Sequence, residues 1–312
     1  MKKALILLNM GGPNNLDEVE VFLKNMFNDK NIITLKSDLL RSFIAYMIVR
    51  SRKGEARKNY EKLGGKSPIV GYTKKLVQNL QTEFKDLHVS FAMRYTPPFA
   101  SEVIEELKQN DIKEAILLPL YPQFSTTTTK SSLEDFREAL KKSNANIKIK
   151  TIKRFFKNET YNNLLIQRIE EALGDKNSKE YELIFSAHSL PQKIVDKGDP
   201  YQREILLHVE YLKDILEEKN IKFKNIHVAY QSKLGPVKWL EPSLEEKIKS
   251  LTCKKVLISP LSFTIDNSET EFELDIEYRE VAQELGFEDY LVAKCPNDAD
   301  DFVRAIKEII AH

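Results

Sequence analysis

The sequence predicts an α/β protein made of one unit twice over, each unit a mostly parallel sheet flanked by helices. Strand-like apolar runs alternate with amphipathic helical segments along the chain, the pattern of parallel strands joined by helical crossovers. Three pairs of these runs look alike: Ala4-Leu-Ile-Leu-Leu-Asn9 with Glu182-Leu-Ile-Phe-Ser-Ala187, Leu87-His-Val-Ser-Phe-Ala92 with Ile226-His-Val-Ala-Tyr-Gln231, and Glu114-Ala-Ile-Leu-Leu-Pro-Leu120 with Lys255-Val-Leu-Ile-Ser-Pro-Leu261. A chain of 312 residues with 42% hydrophobic content is long enough for two cores. The expected domains are residues 1–160 and 161–312.

Each element follows from its local pattern. Met1 to Met10 is a short basic and then apolar run, too short for a secretory h-region, and Gly11-Gly12-Pro13 leads into an amphipathic helix; it reads as a first strand. The first pair of like segments is offset by 178 positions, whereas the other two are offset by 139 and 141, which places an insertion of about 38 residues within 30–68 of the first half. There Leu39, Leu40, Phe43, Ile44, Met47 and Ile48 recur at helical spacing, edged by Arg41, Arg50 and Arg52. Two readings stand: a core-facing helix, or an apolar lip beside a ligand or a bilayer surface. Gly64-Gly65-Lys66-Ser67-Pro68 reads as a tight loop and a helix start, with Ser67 as N-cap and Pro68 in the first turn. It lacks phosphate-loop spacing. Asn15-x-x-Glu18, Ser131-x-x-Glu134 and Ser243-x-x-Glu246 fit capping boxes, and Ser125-Thr-Thr-Thr-Thr129 reads as a polar loop. His88 and His227 are equivalent under the repeat and read as structural.

The 48 basic and 47 acidic residues leave a net charge of +1, which supplies no global field for nucleic acid. Cys253 and Cys295 have no CxxC spacing, which argues against a disulfide framework, a zinc site or a cysteine-ligated cluster and fits a reducing compartment. No apolar stretch is long enough to span a membrane.

Chemistry concentrates in the second half. In Tyr181-Glu-Leu-Ile-Phe-Ser-Ala-His-Ser-Leu-Pro191 an apolar strand stops at small residues and places His188 at its carboxyl end, the edge where open α/β sheets bind ligands. After the last clear strand, Val256 to Leu261, a helix from about Asn267 puts Glu269, Glu273 and Glu277 at i, i+4 and i+8, with Asp266 just before it. As a surface feature this is a solvated face complementing the helix dipole. Facing a cleft together with His188, it can carry protons or hold a divalent cation. No GxSxG elbow is present, which disfavours serine hydrolysis.

Eight segments together resemble the ferrochelatase family: Leu8-Asn-Met-Gly-Gly-Pro13, Leu63-Gly-Gly-Lys-Ser-Pro-Ile69, Met93-Arg-Tyr95, Tyr121-Pro-Gln-Phe-Ser125, Ser186-Ala-His-Ser-Leu-Pro191, Gly198-Asp-Pro-Tyr201, Tyr230-Gln-Ser-Lys-Leu-Gly-Pro-Val-Lys-Trp-Leu-Glu-Pro242 and Glu269-Thr-x-x-Glu-Leu-Asp-Ile-Glu-Tyr278. They run in the family's order over nearly the whole chain. The resemblance implies two Rossmann-like domains around a porphyrin cleft and insertion of Fe2+ into protoporphyrin IX, with release of two protons. It implies His188 as catalytic histidine, Glu269 as its acidic partner, both at the metal, and Asp266, Glu273 and Glu277 as an acidic path. Met10, Arg52, Tyr60, Arg94, Tyr121, Ser232 and Trp239 match positions bordering the porphyrin, and residues 38–50 match the apolar lip.

Iron is then a substrate rather than a tightly bound cofactor. The chain ends at His312 without the cysteine-rich tail of some members, so no [2Fe–2S] cluster is expected. The expected location is cytoplasmic, with peripheral membrane contact through residues 38–50. Many members carry Asp-His where this chain has Asp266-Asn267, and an asparagine accepts no proton near neutral pH. Readings that compete with protoporphyrin ferrochelatase are a chelatase for coproporphyrin III with iron or sirohydrochlorin with cobalt, and a non-catalytic haem or metal carrier.

Overall fold

The computed structural model describes residues 2–233 and 235–311. Met1, in the first-strand reading, Leu234, in the Tyr230–Pro242 segment, and His312, at the chain end, lie outside the described residues. The chain divides into two compact units, Met1–Arg154 and Phe155–His312. This division falls earlier than 160/161 because the helix that follows it packs within the second unit, against the last helix of the chain.

The first unit contains β1 (Lys3–Asn9), α1 (Glu18–Asn28), α2 (Asp38–Lys62), α3 (Ile69–Glu83), β2 (Leu87–Met93), α4 (Ala100–Gln109), β3 (Glu114–Pro119), a π-helical turn Thr126–Lys130 that runs into α5 (Ser131–Lys142), and β4 (Lys148–Thr151). The second contains α6 (Glu159–Leu173), β5 (Glu182–His188), α7 (Gln192–Asp196), α8 (Tyr201–Glu218), β6 (Asn225–Gln231), α9 (Leu244–Ser250), β7 (Lys255–Pro260), a π-helix Glu269–Glu277 continuing as α10 (Tyr278–Glu284), β8 (Asp289–Val292) and α11 (Asp300–Ala311). The sheets are ordered β2-β1-β3-β4 and β6-β5-β7-β8, and every pairing is parallel. The duplicated Rossmann-like architecture is therefore present, with one topology used twice.

This topology positions the site. In each sheet the chain leaves the central strand to one side for the next strand and returns on its other side, so β1 and β5 are switch points whose carboxyl ends open a crevice. Both strands read as continuous apolar runs because helices cover both faces. Leu5, Ile6 and Leu7 are fully buried, as are Leu183, Ile184 and Phe185, each such side chain contributing about 1.5–3 kcal/mol of hydrophobic stabilisation. One face of the first sheet packs Ile6, Ala92, Leu117 and Phe136; one face of the second packs Ile184, Ala229, Ile258 and Leu274.

The insertion is mainly α2, capped by Ser37, whose side chain accepts from Leu40 N. The core-helix reading of its stripe fails: Leu39 is 86% exposed, Phe43 62% and Met47 51%, while Ala45 and Val49 on the other side are buried. The helix packs on α1 with small and branched residues and leaves its larger apolar groups outside.

Several start signals resolve differently from expectation. Ser243 and Glu246 form the capping box. Asn15 Oδ1 accepts from Glu18 N, while Glu18 accepts from Asn14 rather than closing a box on the Asn15 backbone. Ser131 lies inside a continuous helix, because the π-helical turn Thr126–Lys130, capped by Ser125, runs straight into it; its hydroxyl bonds Asp29 instead. Pro68, not Ser67, is the N-cap of α3; Ser67 is buried against Gly12, where a Cβ would stand 2.6 Å from it. Gly11 has φ +84°, and a Cβ there would clash with Thr96 Oγ1, which explains the paired glycines after β1.

Candidate active site

Three adjacent strands of the second sheet deliver the candidate residues. His188 is the last residue of β5, in register with Gln231 at the end of β6. Ser232 follows β6 directly, and the loop after β7 supplies Ser262 before the π-helix brings in Glu269 and Glu273.

His188 is fixed on three sides. Its backbone N–H donates to Ser262 Oγ (2.9 Å), its carbonyl accepts from the Tyr201 hydroxyl (2.9 Å), and its Nδ1 lies 2.6 Å from Glu269 Oε2. Among the described residues Nε2 has no hydrogen-bond partner, and the imidazole is 37% exposed. Burial disfavours the imidazolium, but the charge and hydrogen bond of Glu269, with the charge of Glu273, outweigh it and hold the pKa above the ordinary histidine value.

The carboxylates are held by the end of β6. Ser232 has φ +66°, a left-handed conformation that a serine adopts only under local constraint. That turn aims its N–H at Glu273 Oε1 (2.7 Å) and its hydroxyl at both Glu269 Oε2 (3.1 Å) and Glu273 Oε2. One hydroxyl hydrogen serves one carboxylate oxygen at a time, so Ser232 is shared between Glu269 and Glu273. Burial, then the neighbouring Glu269 charge, push Glu273 up to about 7, although Ser232 and His188 act in the opposite direction. Glu269 is held below its usual range; burial works against this, and the charge and hydrogen bond of His188 prevail, with help from Ser232. Gln231, fully buried, accepts from Ser186 Oγ (2.7 Å) and donates to the Glu269 carbonyl (3.2 Å).

The structure thus brings together His188, Glu269, Glu273 and Ser232. Ser232 stands between the carboxylates rather than simply bordering a ligand. Asp266 does not join them: it is buried and accepts from Asn297 Nδ2 (2.6 Å), Thr270 Oγ1 (2.9 Å) and Cys295 N (3.3 Å), so it anchors the loop. Glu277 is exposed at the far end of the π-helix. The segment Leu190–Gln192 pairs with Lys238–Leu240 through the Pro191 and Trp239 bridge, which sets the half-buried Trp239 beside the turn that follows His188.

In the first unit, Met10 is half-buried just past β1, Arg52 is half-buried on α2, and Tyr60 is buried near its end. Arg94 is engaged internally, with ion pairs to Asp29 (3.2 Å) and Asp135 (3.2 Å) and a hydrogen bond to Ser131 Oγ (3.0 Å). Tyr121 is buried with its hydroxyl 3.3 Å from Ser132 Oγ. Gln231, Ser262 and Tyr201 went unassigned in the sequence reading. Gln231 and Tyr201 sit inside quoted motifs, Tyr230–Pro242 and Gly198–Tyr201; nothing local marks Ser262. Among the described residues no group of three or more His, Cys, Asp or Glu side chains is arranged to hold a metal ion.

A family model described as Ferrochelatase matches residues 2–312. Proteins named ferrochelatase are 59% identical in a Nitratiruptor species, over 98% of each chain, and 46% identical in Helicobacter pylori, over 99% of this chain and 92% of that one. Among solved structures, SirB from Bacillus subtilis with Fe3+ covers 100% of this chain and 95% of its own with a TM-score of 0.59 at 9% identity. CbiX, described as the terminal enzyme for biosynthesis of sirohaem in denitrifying bacteria, covers 99% and 98% with a TM-score of 0.52 at 12% identity. These two likenesses are of fold.

Proposed function

The chain belongs to the ferrochelatase family, an enzyme family that inserts metal into porphyrin, and we propose that His188 and Glu269 carry out this step, with Fe2+ and protoporphyrin IX as substrates and protohaem as product. The observation that carries the reading is the 2.6 Å pairing of His188 Nδ1 with Glu269, which leaves Nε2 as the ring's free acceptor.

Metallation removes two pyrrole N–H protons as iron enters. A neutral imidazole takes a proton at Nε2, and the Glu269 carboxylate stabilises the resulting imidazolium through Nδ1–H, much as an orienting acid does in other histidine bases. Glu273, joined to Glu269 through the Ser232 hydroxyl, provides a second exchangeable proton position on the same hydrogen-bonded chain. Distortion of the flat macrocycle, which tilts its nitrogens toward base and metal, draws on binding energy from apolar and aromatic contacts. Met10, Arg52, Tyr60 and Trp239 are proposed as such contacts; Arg94 and Tyr121 are engaged by the internal bonds described above. The exposed apolar face of α2 supports peripheral membrane contact through residues 38–50. Among the described residues no helix is long and apolar enough to cross a membrane.

The test is anaerobic turnover with catalytic enzyme, protoporphyrin IX or coproporphyrin III, and Fe2+, read from the absorbance of the metallated product. Product beyond one equivalent excludes a carrier, and the faster porphyrin identifies the substrate. His188→Ala should lower kcat by about 10²–10⁴-fold and leave porphyrin affinity largely intact. Equal losses of binding and turnover would remove His188 from the proton-accepting role.

A further inference from the structure

We propose that Asn267 is a positioning residue for Glu269, its side chain bridging over Ser268, the N-cap, to hold the first residue of the π-helix; this rests on Glu269 being the partner of His188. Asn267 is 4% exposed, and its side-chain amide is engaged by the neighbouring backbone. Its Oδ1 accepts from Glu269 N (2.8 Å), its Nδ2 donates to the Ile265 carbonyl (3.1 Å), and its N–H donates to Thr270 Oγ1 (3.0 Å). Its carbonyl accepts from Glu271 N (2.9 Å) and Thr270 N (3.2 Å). A short planar amide is thus used at both ends.

The residue before it is held as firmly. Asp266 receives Asn297, Thr270 and Cys295, and its own N–H donates to Asn297 Oδ1 (2.8 Å). The segment from Ile265 to Thr270 is therefore a fixed staple at the mouth of the helix. A π-helix needs such a staple more than an α-helix does, because its wider turn is seldom sustained without outside support. The point at which the wide turn begins decides where Glu269 points and whether Glu273 follows it onto Ser232. Loss of this bridge lets the first turn relax toward α-helical register, which swings Glu269 off Nδ1 without touching substrate.

A histidine here offers a longer, wider ring with its nitrogens on different bonds from an amide's oxygen and nitrogen, so it does not reproduce the Glu269 N and Ile265 contacts. The prediction follows that Asn267→His lowers turnover even though it adds an imidazole near the site.

The experiment compares purified Asn267→Ala, Asn267→Ser, Asn267→His and Glu269→Gln, each assayed for zinc and ferrous insertion into protoporphyrin IX alongside thermal unfolding. Asn267→Ala and Asn267→His should lose about tenfold in kcat, equivalent to about 1.4 kcal/mol of barrier, with KM for porphyrin changed by less than about twofold. Asn267→Ser, which keeps a short acceptor for Glu269 N, should recover kcat to within about threefold of the parent. Unchanged kcat in Asn267→Ala, or a serine variant as impaired as alanine, overturns the proposal. A lower melting temperature with unchanged kcat per folded molecule also overturns it. If Asn267→Ala fails to fold, the serine and histidine variants make the same comparison. Unchanged kcat in Glu269→Gln would instead sink the underlying reading of the site.

Discussion

Beside the carboxyl ends of β1 and β2 the first unit gathers Arg94, Asp29, Asp135, Ser131 and Tyr95; beside those of β5 and β6 the second gathers His188, Glu269, Glu273, Ser232 and Gln231. Strand order and pairing are the same, and the first residue after β2 is Arg94 where the first after β6 is Ser232. The difference lies in the counter-charge. A guanidinium is permanently charged, so Arg94 balances Asp29 and Asp135 and locks its edge into scaffold. In the second unit two half-buried carboxylates face an imidazole that can lose its charge and a serine that has none. Only the second edge therefore sets its carboxylates against groups whose charge is removable or absent.

This comparison breaks most visibly at Arg94. Arg94→Met leaves the fully buried Asp29 carboxylate with only neutral donors, and the fold should lose about 3–5 kcal/mol in urea unfolding, partly recovered by adding Asp29→Asn. A rise in KM for porphyrin without loss of stability would return Arg94 to the ligand-bordering role that the family resemblance implies. A smaller effect is expected at the second edge. Glu269→Gln should lower kcat by about 10–100-fold and shift the acid limb of the pH profile. The sign is fixed by what remains: with the Glu269 charge gone, burial lowers the His188 pKa, so the limb moves to lower pH. A shift to higher pH, or none, contradicts the pairing. The smallest effect belongs to the lip. Leu39→Ser with Phe43→Ser should change stability by no more than about 0.5 kcal/mol, because both side chains are already in water, yet abolish flotation with vesicles of anionic lipid. Retained flotation would remove residues 38–50 from membrane contact.

Much of the fold was legible because its signals are local. Alternating runs, paired segments and their offsets placed the duplication, the α2 insertion and His188 at a carboxyl edge. What remained illegible concerned polar partners. Asp266 and Glu269 look alike in sequence and lie close together along it; one is claimed by Asn297 and Cys295, the other by His188. Asn267 read as a missing base, and its side chain bonds the backbone of Glu269 and Ile265. His88 and His227 sit at like positions in the repeat, yet one meets Glu106 on α4 and the other Glu182 on β5. Ser131 matched a capping box but lies within a longer helix, its hydroxyl on Asp29. The stripe on α2 kept its helical period whichever way it faced, and only packing on α1 decided that its larger side chains point outward.

The sequence by itself determined the α/β class, the duplicated unit, the placement of His188 and, through its resemblance, the family, because hydrophobic period and motif order are written along the chain. Tertiary structure alone decided which carboxylates face the imidazole, that Ser232 stands between them, and that the acidic helix is a π-helix. A hydrogen bond needs its donor and acceptor at about 3 Å. Here Glu269 meets His188 across 81 residues of chain and Ser232 across 37, and such partners come together only when the sheet closes.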